Sequence, residues 1–373
     1  MADVLSRARG FASGIMRENA QGWEATRRYP RDAFSAAAQA GLGGLLVPAE
    51  QGGSGLTISG MADVMATLSA ADLGFAFSLV CHNNLAGGIA ANGSEAQRAA
   101  FIGPMIRGEA LGAFLLTEPE AGSDAAALRT LARPDGDGWV LNGTKAWITN
   151  GTDADVLSVY AQTEEGAGAR GIAAFLVRAD QPGVVRGAPY HMLSGHAMGV
   201  SDIRFDNVTL SAEQLFYPPG EAFKKALFAI DIARIVLSRM CAAMLADGLA
   251  AAVDYTAKRT AFGAPLSEKQ GLRWMLADVA TDLAAANALI DKALATFEAG
   301  DAQMPDLAAH AKKFTTRVVL KGLGACMQAM GANGFRQDFP VARHFAAAKM
   351  TQYMDGATEI QNEVIARRLF AGR

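Results

Sequence analysis

The sequence predicts an α+β fold in three blocks: an N-terminal helical domain (1–112), a middle antiparallel β-barrel or sandwich domain (113–215) and a C-terminal four-helix bundle (216–373). Three observations carry this. The first block is rich in Ala, Leu, Met and Glu, interrupted by glycines. Around Leu111 the texture changes to short runs of β-branched and aromatic residues between turn signals. Beyond Ala222, long stretches again repeat their apolar residues at helical spacing.

In the first block, VPAEQGGSGLT breaks the helices through Pro48, Gly52, Gly53 and Gly55, and ISGMADVMATLSAAD resumes the helical period. In the second, LGAFLLTE, GWVLNGTKAWITNG, DVLSVYAQT, GIAAFLVRAD and GVSDIRFDNVTL read as strands. Turns are expected at Asp135-Gly136, Asn142-Gly143 and Asn150-Gly151, and an Asn-Gly pair favours an antiparallel hairpin. In the third, Leu272, Leu276, Val279, Leu283, Ile290, Leu294 and Phe297 form one apolar stripe, opened by a Ser267/Gln270 capping box and followed by Gly300. Helices near 225–258, 306–331 and 340–370 complete the expected bundle.

The chain has 373 residues, is 51% hydrophobic and 19% charged, and carries a formal charge of −3. That balance gives no electrostatic footprint for nucleic acid or an anionic membrane. No apolar run is long enough to span a bilayer, and the first residues lack an apolar signal core. Cys81, Cys241 and Cys326 are far apart, form no metal-ligand spacing and suggest no disulfide framework. A reducing cytoplasm is the expected compartment.

Four stretches have the chemistry of a site. In LLTEPEAGSD, Thr117 enters a turn whose N–H groups and hydroxyls can meet a polar ligand edge, or which simply joins two blocks. In LNGTKAWITNG, Trp147 and Thr149 stand two apart and should share one strand face, fit for stacking on a flat ring or for a β core. In DYTAKRTAFGAPLSEKQ, Arg259 ends a helix and Gln270 opens the next around a Phe262-Gly263 turn. Arg259 suits a pyrophosphate or a helix C-terminus. Finally, CMQAMGANGF offers the Gln328 amide and a Gly331-Ala332 pair, and QYMDGATEIQN holds Asp355 before a Thr358/Gln361 capping box. Locally, Asp355 reads as a turn residue or as a base.

In this order the stretches resemble the acyl-CoA dehydrogenase flavoprotein family, from VPAEQGGSGL to the last helix. The resemblance implies FAD between the β domain and the bundle, an acyl-CoA substrate, electron-transfer flavoprotein as acceptor, and a homotetramer or dimer. By position it places Phe114, Thr117 and Ser123 beside flavin and thioester, Trp147 on the isoalloxazine, and Thr149 near N5. Arg259, Phe262, Gln270, Gln328 and Gly331 match residues holding the ADP half, and Ile148, Ala332 and Thr358 extend the cofactor set. Asp231, Arg234 and Gly356, with Ser123, fall on substrate-binding positions.

Asp355 falls where the family carries its base, normally a Glu, so the resemblance implies α-proton removal by Asp355 with hydride transfer to flavin N5. The shorter Asp retracts the carboxylate by about 1 Å, a displacement that catalysis tolerates poorly. Ala233 excludes relocation of the base to the residue before the active-site Arg234, and Ala357 stands where the family has Thr. The alternatives are a nitroalkane-oxidase-like flavoenzyme, since those relatives also use Asp here, and dehydrogenation of a carrier-protein-bound acyl group.

Overall fold

The computed structural model describes residues 1–371. The N-terminal helices are α1 (Ala2–Phe11), α2 (Arg17–Thr26), α3 (Arg31–Gln39), α4 (Ile58–Ser69), α5 (Leu73–Asn92) and α6 (Glu95–Ile106). Their ends are set chemically. Asp72 caps α5 by accepting from the Phe75 N–H at 2.8 Å, and Ser94 and Gln97 form a reciprocal capping box on α6. Almost every turn of α5 is buried, so it is a central post rather than a surface helix.

The middle block is one eight-stranded sheet in the order β6 (Val184–Arg186), β7 (Ser201–Leu210), β3 (Gly138–Ile148), β2 (Leu131–Asp135), β4 (Val156–Gln162), β5 (Ile172–Arg178) and β8 (Leu215–Tyr217). β1 (Gly112–Leu115) lies against β4 in parallel, and β2 also meets β4 in parallel at Leu131 and Gln162. The expected wholly antiparallel pairing is corrected at these two places. β1 arrives from α6 and departs into a long loop, so no hairpin fixes its direction.

Asn142-Gly143 is not a hairpin turn. It lies inside β3 at a register shift, where the Asn142 and Asn207 side chains link β3 to β7. The hairpin that joins β2 to β3 is the expected turn at Asp135-Gly136, closed by the Asp135–Gly138 pair. Gly143 meets a packing need: a Cβ there would sit 2.5 Å from Thr130 Oγ1.

The C-terminal block contains α7 (Ala222–Lys258), the small hairpin β9 (Thr260–Ala261) and β10 (Ala264–Pro265), α8 (Gln270–Glu298) and α9 (Met304–Met330). Its fourth layer is divided into α10 (Pro340–Thr351) and α11 (Thr358–Phe370), where one span of 340–370 was expected. Two consecutive left-handed residues, Asp355 (φ 51°) and Gly356 (φ 91°), make the break. One continuous apolar core joins α1–α5 to the bundle helices, and a separate core fills the sheet.

Both capping boxes expected in this block are absent. Ser267 falls in a short 3-10 turn (Leu266–Glu268), and Lys269 precedes α8 without a side-chain cap. Thr358 is already inside α11, and Gln361 turns its amide to the preceding loop instead. The cap position is Ala357, extended at φ −57° and ψ 163° but without a side-chain acceptor. Ala357→Thr should therefore raise unfolding free energy by about 1 kcal/mol, readable as a higher denaturation midpoint. An unchanged midpoint would show that the first turn of α11 is already satisfied.

Candidate active site

Asp355 is positioned through its main chain. Arg234 Nε on α7 donates to the Asp355 carbonyl at 2.8 Å. The next carbonyl, Gly356 O, accepts from the Gln361 side-chain amide on α11 at 2.9 Å and from Lys312 Nζ on α9. Arg234 in turn donates to Asp231 Oδ1 at 2.7 Å, and both side chains of this pair are buried. Three helices thus fix two successive carbonyls of a backbone turn that an L-residue resists.

The carboxylate has no such partner. Asp355 Oδ2 is shut off from solvent and accepts no hydrogen bond, although the residue as a whole is only half-buried. Burial raises its pKa above the usual carboxylate range, against the lowering pull of the Lys312 and Arg234 charges. Lys312 is itself pushed down to about 8, mainly by burial and against the pull of Asp355.

Asp355 borders a cavity of about 120 Å³ whose walls include Phe77, Cys81, Phe114, Tyr160, Ile230 and Ala233. The lining is mainly aromatic and aliphatic, with the acid at one end. Phe114 packs on Tyr160 at 5.0 Å between ring centres. Burial holds the Cys81 thiol far above its ordinary pKa, and the Asp355 charge adds to that, so the thiol is a neutral wall. The Thr149 hydroxyl lies against that thiol, bringing the β3 end of the sheet to the cavity.

Trp147 and Thr149 do not share a regular strand face as expected. A register shift lies between Lys145 and Ile148, and Trp147 is left-handed at φ 59°. The indole is 63% exposed and meets Tyr190 edge-on at 4.6 Å. Ile148 points into the sheet core and is 2% exposed, so only its main chain can reach a ligand. Thr117 is drawn to this corner because its carbonyl accepts the Ala146 N–H at 3.0 Å. The loop behind it is anchored by the buried Lys145–Glu118 pair at 2.8 Å. Ser123 lies exposed further along that loop.

The remaining expected cofactor residues, except Thr358, lie at one end of the bundle. Arg259 caps α7, and Phe262 (φ 53°) and Gly263 (φ 78°) form the tip of the β9–β10 hairpin. Gln270 opens α8 with its side chain exposed. Gln328 and Gly331-Ala332 lie at the end of α9, tied towards this corner by Asn333 Nδ2 donating to the Tyr255 hydroxyl at 2.7 Å. Thr358 is half-buried at the first position of α11. An outward indole held in a strained conformation, with an exposed arginine and exposed amides, fits a flat heteroaromatic ring carrying a phosphate-linked tail.

Sequence reasoning missed Lys312 and Cys81. Lys312 had a legible signal: it lies between Ala308 and Thr315, on the buried stripe of α9 where a lysine is out of place. Cys81 lies on the post helix α5, in a segment with no periodic polar face to mark one residue from another.

Comparison with known proteins agrees with this geometry. Family models for the N-terminal, middle and C-terminal domains of acyl-CoA dehydrogenase match residues 2–109, 113–208 and 222–370. A probable acyl-CoA dehydrogenase of Mycobacterium tuberculosis is 32% identical over 98% of this chain and 94% of its own length. The butyryl-CoA dehydrogenase structure from Megasphaera elsdenii is 31% identical, covers 99% of this chain and 97% of its own, and superposes with a TM-score of 0.94. A chain from the structure of the electron transferring flavoprotein of Acidaminococcus fermentans gives 32% identity, coverage of 99% and 97%, and a TM-score of 0.94. With three helix–sheet–helix domains and full-length relatives above 30% identity, this chain belongs to the acyl-CoA dehydrogenase family, flavin-dependent oxidoreductases.

Proposed function

We propose that the chain dehydrogenates an acyl-CoA thioester between Cα and Cβ, with Asp355 as the base. The orphaned Asp355 carboxylate facing an apolar cavity carries this reading. Asp355 takes the α-proton: the Cα–H bond breaks, the proton goes to the carboxylate, and the bond's electrons move towards the Cα–Cβ double bond as the β-hydrogen leaves with its own pair. FAD, when bound, supplies the hydride acceptor at N5. The Asp355 N–H donates to no protein group among the described residues, and so is free for the thioester oxygen as charge builds there. Burial keeps the carboxylate basic and weakly hydrated, which suits removal of a weakly acidic proton.

The FAD-holding residues are Phe114, Thr117, Ser123, Trp147, Thr149 and Thr358, with Ile148 acting through its main chain, for the ring half. Arg259, Phe262, Gln270, Gln328, Gly331 and Ala332 hold the ADP half. Phe262 is 97% exposed, which fits a tip that meets a second copy in a homotetramer or dimer. Asp231, Arg234 and Gly356, with Ser123, flank the substrate, although Arg234 and Asp231 act here by fixing the base loop. Electron-transfer flavoprotein is the acceptor, three free thiols fit a cytoplasmic setting, and domain limits of 1–112, 113–215 and 216–373 complete the proposal.

The primary test is anaerobic bleaching of the flavin by acyl-CoAs, set against nitroethane. Bleaching by nitroethane alone would overturn the thioester reading in favour of nitroalkane oxidation. Asp355→Asn should keep its flavin and lose turnover by at least about 100-fold, the smaller end of a general base's contribution. Near-full activity would assign the proton to another group. Arg259→Ala should yield protein depleted of FAD, measured by its visible absorbance; full occupancy would remove the pyrophosphate role.

Lys312 gives a pH test. Its positive charge lowers the pKa of Asp355, and the base works only when ionised, so kcat/KM rises with pH through that pKa. Removing the charge in Lys312→Met should move the rising limb to higher pH, whereas Lys312→Arg should leave it closer to the parent. Limbs that coincide in all three proteins would reduce Lys312 to a purely structural contact.

A further inference from the structure

The segment that presents Trp147 is strained at both ends. Trp147 (φ 59°) and Asn150 (φ 68°) are left-handed without being glycine, a conformation that an L-residue resists and a bulky one most of all. Part of the support comes from the Asn150 side chain, which donates to Ser78 O on α5 at 3.1 Å and to Gly112 O on β1 at 2.8 Å. The rest comes from the loop between β6 and β7. The Asn150 N–H donates to Met198 O at 2.7 Å, and the Thr152 N–H donates to Gly199 O at 3.1 Å. Earlier in the same loop, the Tyr190 hydroxyl accepts from the Trp147 N–H at 3.4 Å and donates to Asp202.

This loop is gripped by a side chain from outside the sheet. Glu24, on α2, meets three consecutive loop residues. Its Oε1 accepts from Ser194 Oγ at 3.1 Å and from the Gly195 N–H at 2.7 Å, and its Oε2 lies 2.6 Å from His196 Nδ1. Ser194 and His196 are buried. His196 Nε2 is buried without a hydrogen-bond partner among the described residues, so the bond to Glu24 is the polar contact that orients the imidazole. Gly195 (φ 83°) is wedged between two more helices: a Cβ on Gly74 of α5 would fall 3.1 Å from Gly195 Cα, and one on Gly195 would fall 2.8 Å from Met350 Cε of α10. One carboxylate therefore fixes the loop where α2, α5 and α10 meet, two residues before Met198 receives the Asn150 N–H.

We infer that Glu24 is a positioning residue for the flavin side of the site. Through Ser194, Gly195 and His196 it fixes the 194–199 loop, and through that loop the left-handed Trp147–Asn150 segment with its outward indole. The consequence for the cofactor rests on the proposed ring contacts of Trp147 and Thr149, whereas the hold on the segment does not. A carboxylate suits this task because it accepts from all three loop residues at once, through bonds about twice as strong as neutral ones. A Gln side chain would turn its NH2 group towards one of those donors.

The test follows hydrogen exchange at the Asn150 and Thr152 amides of the full chain with FAD in excess, together with the Kd for FAD and the visible circular dichroism of the flavin. Glu24→Leu should speed exchange at both amides about tenfold or more, the scale of one lost hydrogen bond to a charged acceptor, and should weaken FAD binding in step. Glu24→Gln, which keeps one acceptor oxygen, should fall between that variant and the parent, and Ser194→Ala should act in the same direction by less. Arg17→Met is the stability control: it removes a different tether of α2, to Asp247 on α7, and should leave both amides at the parent rate. Parent-like exchange in Glu24→Leu, or an acceleration that Arg17→Met reproduces, overturns the inference. Should Glu24→Leu fail to fold, parent-like exchange in both Glu24→Gln and Ser194→Ala overturns it instead. Faster exchange with unaltered FAD affinity and dichroism upholds Glu24 as the hold on the segment and removes Trp147 and Thr149 from the ring site.

Discussion

Two carbonyl groups, those of Asp355 and Gly356, set the position of everything else in the site. A left-handed non-glycine residue costs about 1–2 kcal/mol, and Asp is among the few side chains that tolerate it. Here the turn is held open by charged donors from α7 and α9 and an amide from α11. Hydrogen bonds to charged groups contribute roughly 1.5–3 kcal/mol each, enough to outweigh that strain. Because the main chain takes these contacts, the carboxylate is left with none. A conventional salt bridge from Arg234 to Asp355 would hold the loop equally well and spoil the base, since direct pairing lowers a carboxylate's pKa. Arg234 forms its ion pair with Asp231 instead.

That arrangement explains which parts of the site could be read in the residues. Asp355 was visible as an acid in a Gly-flanked turn, and Trp147 as an aromatic on a strand, because local pattern and family order both point to them. The conformations were not legible. Trp147 is turned outward by a register shift, which depends on how β3 meets β7 rather than on its own sequence. Asn142-Gly143 has the composition of a hairpin, yet cross-strand pairing of Asn142 with Asn207 and the nearness of Thr130 keep it inside a strand. The two capping boxes failed for a related reason. Gln361 has a stronger use, holding Gly356, and the segment at Ser267 follows a tight hairpin that delays α8 to Gln270. The alternation of helical and β blocks survived because it sums over many residues, whereas caps and turns depend on single competing contacts.

The short base places a demand on the rest of the pocket. Asp in place of Glu withdraws the carboxylate, so substrate Cα must be brought to it and held there. An alkyl chain in an aromatic-walled cavity is held by non-directional contacts, which resist sliding along the channel weakly. Binding energy from remote, non-reacting parts of the substrate can be spent on placing the reacting carbon. On this view the lost methylene at position 355 is a change in where positional control resides, moved from the base to the rest of the substrate.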